Sequence, residues 1–239
     1  MEKLDLLVLA AHPDDAELGC GGTIVRLVQE GKKVGIIDLT QGELGTRGTA
    51  EIRLKEAEAA AAAMGVHVRE NLGLRDGRFQ NNEEDQLAII RCVRKYRPEM
   101  VITNAPTDRH PDHGRAALLV ADACFYAGLR RIVSGYDGLT QEAWRPKSLF
   151  HFVQSQSLPI DFVVDITEQW PVKLQAIKAY KSQFHDPESK EPETYISSSN
   201  FLRMVEARAI EHGHAVGKSY GEGFIRSRVV GVNSLFDLY

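Results

Sequence analysis

The sequence predicts an α/β fold, a mostly parallel sheet flanked by helices, and three observations predict it. Strand-length apolar runs alternate with stretches of helical periodicity. The first run is apolar almost without a break, as a strand buried on both faces must be, and glycines fall where helices should stop.

Residues 4–11 form that first strand, broken only by Asp5 and ended by the polar cluster His12-Pro13-Asp14-Asp15. Leu18, Ile24, Val25, Leu27 and Val28 then recur at helical spacing over residues 16–30, and Gly31 supplies the stop. A strand over 33–39 follows. An Ala- and Glu-rich helix spans 50–64, stopped by Gly65, with a short strand at 66–72, a helix at 83–96 and a buried strand at 100–104. A helix runs from beyond Gly114 to about residue 126. After a loop rich in Gly and Arg come strands at 148–154 and 160–166 and helices at 168–180 and 200–213. Residues 186–199, with two prolines and three consecutive serines, read as a long surface loop or lid. No linker or repeat is visible, so a single Rossmann-like domain over residues 1–239 is expected.

Right-handed crossovers between parallel strands place all the strand C-termini on one edge of the sheet, where open α/β folds bind ligands. Three polar loops fall on that edge: 12–15, 41–49 and 106–113.

Composition excludes several classes. The 239 residues carry 29 Lys and Arg against 33 Asp and Glu, a net charge of −4, which argues against a nucleic-acid footprint or a membrane surface. No apolar run is long enough to span a bilayer, and Leu4 is entered without a basic leader. Cys20, Cys92 and Cys124 lie far apart in no metal-binding spacing, and read as buried thiols of a cytoplasmic protein.

The chemistry must lie in two clusters, His12-Pro13-Asp14-Asp15 and Asp108-Arg109-His110-Pro111-Asp112-His113, each following a strand. Helix capping by Asp15 and Asp112 accounts for one aspartate in each; three histidines and the other aspartates are left over. Unpaired buried carboxylates are expensive, which points to a bound cation. Imidazole with carboxylate suits zinc or iron(II) rather than calcium or magnesium, and His12, Asp15 and His113 can supply the two-histidine, one-carboxylate set of a catalytic zinc.

A strand ending in Ala-His-Pro-Asp-Asp-Ala-Glu, followed by Gly-Cys-Gly-Gly and later by His-Pro-Asp-His, resembles the PIG-L/LmbE-like family of zinc-dependent N-acetylglucosamine deacetylases. Residues 42–49, 180–184 and 220–224 resemble its bacillithiol-biosynthesis branch. The resemblance implies an LmbE-like fold, His12, Asp15 and His113 as metal ligands, Asp14 as general base, and His110 beside the reacting carbonyl with Asp112 behind it. Asp112 is then expected to keep His110 protonated. The implied substrate is N-acetylglucosaminyl malate, and the implied assembly a homo-oligomer, trimeric or hexameric.

Glu17 is expected either to orient a ligand imidazole or to act as a first-turn acid. Arg53 and Arg109 are read as contacts to an anionic substrate group, with surface ion pairs as the alternative, and for Arg47 both readings stand. Tyr195 can bond the sugar or the oxyanion, or pin its loop; His185 lines the pocket or lies on the surface. A dinucleotide-binding reading of Gly19, Gly21, Gly22 and Asp38 fails on spacing, because Ile24 stands where the third glycine belongs. A serine hydrolase fails for want of a GxSxG elbow.

Overall fold

A computed structural model describes residues 3–238. Strands β1 (Leu6–Ala10), β2 (Val34–Thr40), β3 (Val68–Leu74) and β4 (Met100–Asn104) alternate with helices α1 (Asp15–Gln29), α2 (Ala50–Met64), α3 (Glu83–Tyr96) and α4 (Pro111–Ala127). A short hairpin, β5 (Gly135–Tyr136) and β6 (Leu139–Thr140), precedes β7 (Ser148–Phe152), β8 (Phe162–Asp165), α5 (Trp170–Lys178), α6 (Phe201–Ala215) and β9 (Gly221–Arg226).

The large sheet has the order β3-β2-β1-β4-β7-β9-β8. Its first five strands run parallel, and β9 pairs antiparallel with both β7 and β8. The strand order reverses direction at β1, with β2 on one side and β4 on the other, and this switch point opens at the C-terminal edge.

The apolar run of the first strand follows from this position. Leu6, Val8 and Ala10 face a core completed by α1, α2, α5 and α6, while Leu7 and Leu9 face a second core completed by α3 and α4. Successive side chains point to opposite faces, so both parities must be apolar. Cys20, Cys92 and Cys124 are buried and free, as expected. Among the described residues no helix is long and apolar enough to cross a membrane.

Three boundaries depart from expectation. Helix α4 begins at Pro111, because Pro at the first helical position is pre-organised and His110 caps it, so Asp112 and His113 lie in the first turn rather than in a loop. Strand β9 was not expected, since Gly221-Glu222-Gly223 lacks the alternation of a strand, yet it inserts between β7 and β8. The β5–β6 hairpin turns at Asp137-Gly138 with φ of 51° and 75°, a two-residue turn for which Asp-Gly is the signature.

Candidate active site

The first cluster leaves β1 through a strained turn. Asp14 has φ 107°, a left-handed value rare for a non-glycine residue, and occupies the N-cap position of α1 without a capping hydrogen bond from its side chain. The turn releases the Asp14 side chain from backbone duty and starts the helix at Asp15. Neither aspartate expected as a cap is one: Asp15 is the first helical residue, and α4 is capped by His110, whose Nδ1 accepts from the Asp112 N–H at 3.3 Å.

Asp15 is the hub. Its Oδ1 lies 3.2 Å from His113 Nε2 and accepts from Gln154 Nε2 at 2.7 Å. Its Oδ2 lies 3.3 Å from His12 Nδ1 and accepts from the His12 N–H at 3.0 Å and from Asn104 Nδ2 at 3.2 Å. Each imidazole then turns its other nitrogen onto a second carboxylate. His12 Nε2 is 3.0 Å from Asp76 Oδ1 and 3.3 Å from Asp112 Oδ2, and His113 Nδ1 is 2.6 Å from Asp108 Oδ2. These outer carboxylates are themselves fixed: Asp108 accepts from the backbone of Arg109 and Gln156, Asp112 from Gly77 N–H and Arg115, and Asp76 from Leu44 N–H.

The charges follow from that geometry. Burial alone would lower both imidazoles, but hydrogen bonds to Asp112, Asp15 and Asp76 hold His12 well above its ordinary value, and the Asp15 charge with the Asp108 hydrogen bond holds His113 up at about 9. Burial would raise Asp15, yet the two histidines hold it well below the carboxylate range. Asp14 differs: burial, reinforced by the Asp15 charge, lifts it to about 7 against the pull of Arg53. His110 is lowered by burial and by the His12 and His113 charges.

This donor set fits a divalent cation. Two imidazoles converge on one carboxylate, and each is backed by an outer carboxylate, the arrangement that orients histidine on metals. A metal bound here would displace a proton from each of these two raised imidazoles. Ligand atoms of His12, His110 and His113, and of His12, Asp76 and Asp112, also lie within 4.8 Å of one another. Asp15, through its contacts of 3.2 and 3.3 Å, adds the carboxylate of the expected set.

The site opens into a cavity of about 380 Å³ that His12, Asp14, Asp15, His110 and His113 line with Arg47, Arg53, Arg109 and Tyr195. Asp112 is the exception among the expected residues. It is fully buried, and its carboxylate is turned to His12, Gly77 and Arg115 rather than to the His110 ring, so it does not hold His110 protonated as expected. With Nδ1 accepting, a neutral His110 would carry its proton on Nε2 and donate from there.

The arginines divide by partner. The Arg53 guanidinium is occupied by Asp14 Oδ2 at 3.1 Å, by Pro13 O and by Gly42 O at 3.4 Å. Arg47 joins the loop after β2 to the segment 186–199 through Ser189 Oγ at 2.7 Å and Glu191 at 3.5 Å. Arg109 instead stacks its guanidinium 4.2 Å over the Tyr195 ring, which in turn meets Phe201. Thr194, Tyr195 and Ile196 line the cavity, so the end of the segment 186–199 forms part of its wall.

Glu17 is an acid of the first turn of α1, as one of its two readings expects, and its carboxylate is buried against Arg69 and Tyr180 rather than on a ligand imidazole. His185 is exposed and outside the cavity lining. The disfavoured nucleotide fingerprint has a packing explanation, since a Cβ on Gly19 would sit 2.1 Å from Phe152 and one on Gly22 2.7 Å from Ile166, while Asp38 is bidentate with Arg69 at 2.9 Å. Sequence reasoning overlooked Asp76, Asn104 and Gln154. Each follows or ends a strand at the same edge, and Asp76-Gly77 is a turn signal after β3 that could have been read as a fourth edge loop.

Fold and site together define a class: an α/β enzyme with a carboxylate–imidazole centre at the switch point of its sheet. The family model for PIG-L, GlcNAc-PI de-N-acetylase, matches residues 7–124, which contain both motifs. The diacetylchitobiose deacetylase of Thermococcus kodakarensis is 30% identical over 235 residues, covering 91% of this chain and 81% of that protein. A probable N-acetyl-α-D-glucosaminyl L-malate deacetylase 2 of Bacillus anthracis is 28% identical over 198 residues, covering 75% and 81%. The crystal structure of the conserved protein TT1542 from Thermus thermophilus superposes with a TM-score of 0.85 at 35% identity, covering 96% of this chain and 98% of that one. The chain belongs to the PIG-L/LmbE-like family of deacetylases.

Proposed function

We propose that this enzyme hydrolyses the acetamide of an N-acetylglucosamine derivative, with N-acetylglucosaminyl malate of bacillithiol biosynthesis as its substrate. The observation that carries the chemistry is Asp14, a buried carboxylate held at about 7 beside Asp15, His12 and His113 and not consumed in holding the imidazoles. His12, Asp15 and His113 would hold a zinc ion, or iron(II), which would supply a Lewis acid able to lower the pKa of water toward about 7 and to polarise the carbonyl. Asp14 takes the proton of the attacking water; its Oδ2 is on Arg53, which leaves Oδ1 for the transfer. His110 Nε2–H donates to the oxygen that becomes an oxyanion. Asp14 then returns the proton to the nitrogen as the C–N bond breaks, releasing acetate and a free amine.

Arg109 supports an acidic aglycone. Its guanidinium faces the cavity against an aromatic ring, whereas Arg53 and Arg47 each meet a carboxylate. The 30% identity to a diacetylchitobiose deacetylase favours a second reading, a broader enzyme acting on chitooligosaccharides or other amino-sugar conjugates. Three buried free thiols support a cytoplasmic location. A homo-oligomer, trimer or hexamer, fits a C-terminal segment whose Leu235 and Phe236 are 81% and 97% exposed on the isolated chain.

Acetate release from N-acetylglucosaminyl malate and from diacetylchitobiose, by wild type and by Arg109→Gln, tests both levels. The malate conjugate should be preferred, and Arg109→Gln should raise KM for it about tenfold while leaving the neutral sugar unchanged. Equal kcat/KM for the two sinks the malate assignment. No acetate from either, with zinc loaded, sinks the deacetylase itself; Asp14→Asn should abolish turnover while the protein still retains zinc.

A further inference from the structure

Helix α1 is broken. Cys20 has φ −145° and ψ 21°, which separates a first turn, carrying Asp15 and Glu17, from the remainder of the helix. In an unbroken helix the Gly22 N–H would donate to the Leu18 carbonyl. At this break an ion pair from α5 and β9 meets both groups of that rung. Glu222 of β9 accepts from Gly22 N–H at 2.9 Å, Thr23 N–H at 2.7 Å and Thr23 Oγ1 at 2.6 Å. Lys173 of α5 donates to Leu18 O at 2.9 Å, and its Nζ lies 2.5 Å from Glu222 Oε1.

Each group that the break orphans is thus taken by the partner of matching sign: the carboxylate caps the N-terminus of the second segment and the ammonium takes the carbonyl of the first. Both side chains are nearly inaccessible, at 2% and 3% exposure. Close packing accounts for the glycines that flank Glu222, since a Cβ on Gly221 would sit 2.5 Å from Val163 and 2.8 Å from the Gly213 nitrogen.

We propose that Lys173 and Glu222 are positioning residues for the active site: they hold α1 open at Cys20 and so fix the single turn that aims Asp14 at the cavity and Asp15 at His12 and His113. The turn is too short to hold its own direction, because a helix of one turn has almost no internal rungs. Glu222 and Lys173 touch neither the cavity centre nor the expected ligands, and act through the backbone.

The effect on turnover rests on the deacetylase reading, so the test includes a readout that does not. Lys173→Met, Glu222→Gln and the double variant are compared with wild type for kcat, KM, Tm and hydrogen exchange of residues 15–19. The expected result is a fall in kcat of about 10–100-fold with KM nearly unchanged, faster exchange in that turn, and a double variant no worse than the poorer single one. Thr23→Val removes one hydroxyl bond to Glu222 and gives the same test in milder form should a buried-pair variant fail to fold: a smaller fall in kcat at unchanged Tm. Folded variants with wild-type kcat and exchange overturn the proposal, as does a rise in KM alone. A wild-type protein without deacetylase activity overturns the functional reading instead, and exchange alone then decides this one.

Discussion

Removing the Arg53 charge should move the acid limb of the pH–rate profile upward. Arg53 lies 3.1 Å from Asp14 Oδ2, and both side chains are buried. Two unit charges about 4 Å apart interact by about 4 kcal/mol at an effective dielectric of about 20, which corresponds to about 3 pKa units. That is the upper end of the roughly 1–3 units by which a neighbouring cation lowers a carboxylate. A general base must be ionised, and losing the cation disfavours the ionised form, so Asp14 titrates higher in Arg53→Met and activity is lost on the acid side. The limb of kcat/KM should shift upward by about 1–3 units, equivalent to about 10–1000-fold at a fixed pH below it. A bound cation lowers Asp14 in both proteins, so the displacement between the two profiles is the quantity to read. Arg53→Lys, which retains the charge, should keep most of the wild-type position. An unmoved limb with a raised KM would refute this reasoning and return Arg53 to a substrate contact.

Asp108→Asn removes the charge behind His113 Nδ1 while preserving its shape, and should weaken zinc binding by about 10–100-fold in a chelator competition; unchanged affinity would remove His113 from the ligand set. The metal-free protein should lose stability as pH rises. His113 sits at about 9 in the folded chain against about 6.5 unfolded, so its contribution is fully present below about 6.5 and lost as pH rises through about 9, at most about 3 kcal/mol. Thermal melts of chelated protein at pH 6 and pH 10 should show the loss, and zinc loading should flatten it because the imidazole is then unprotonated at both. Melts of equal midpoint without metal would show that no such proton is held.

Expectation and structure agree where a residue's role follows from its neighbours in the chain. The first strand, the glycine stops and the two His-Asp clusters are local patterns, and β1 and β4 deliver those clusters to one edge because parallel strands must end together. They part where partners come from distant segments. Asp112 follows His110 by two residues, yet its carboxylate belongs to His12, a hundred residues away, because the first turn of α4 points it across the sheet edge. Arg53 was legible as a cation near the site but not as the partner of Asp14, since that depends on how α2 packs beside the strained turn. Glu222 lay in a noticed motif without a visible purpose.

The sequence by itself determined the fold class, the sheet edge that binds, and the chemical identity of the donors, because these follow from periodicity and from the cost of gathering carboxylates without a cation. Only the tertiary structure decided which carboxylate backs which imidazole, which arginine stacks on Tyr195 at the cavity, and how a helix broken at Cys20 is held. Apart from Asp108 behind His113, five residues away, those are pairings between distant segments, such as Gly77 with Asp112 and Gly22 with Glu222, fixed by sheet order and helix packing rather than by a local pattern.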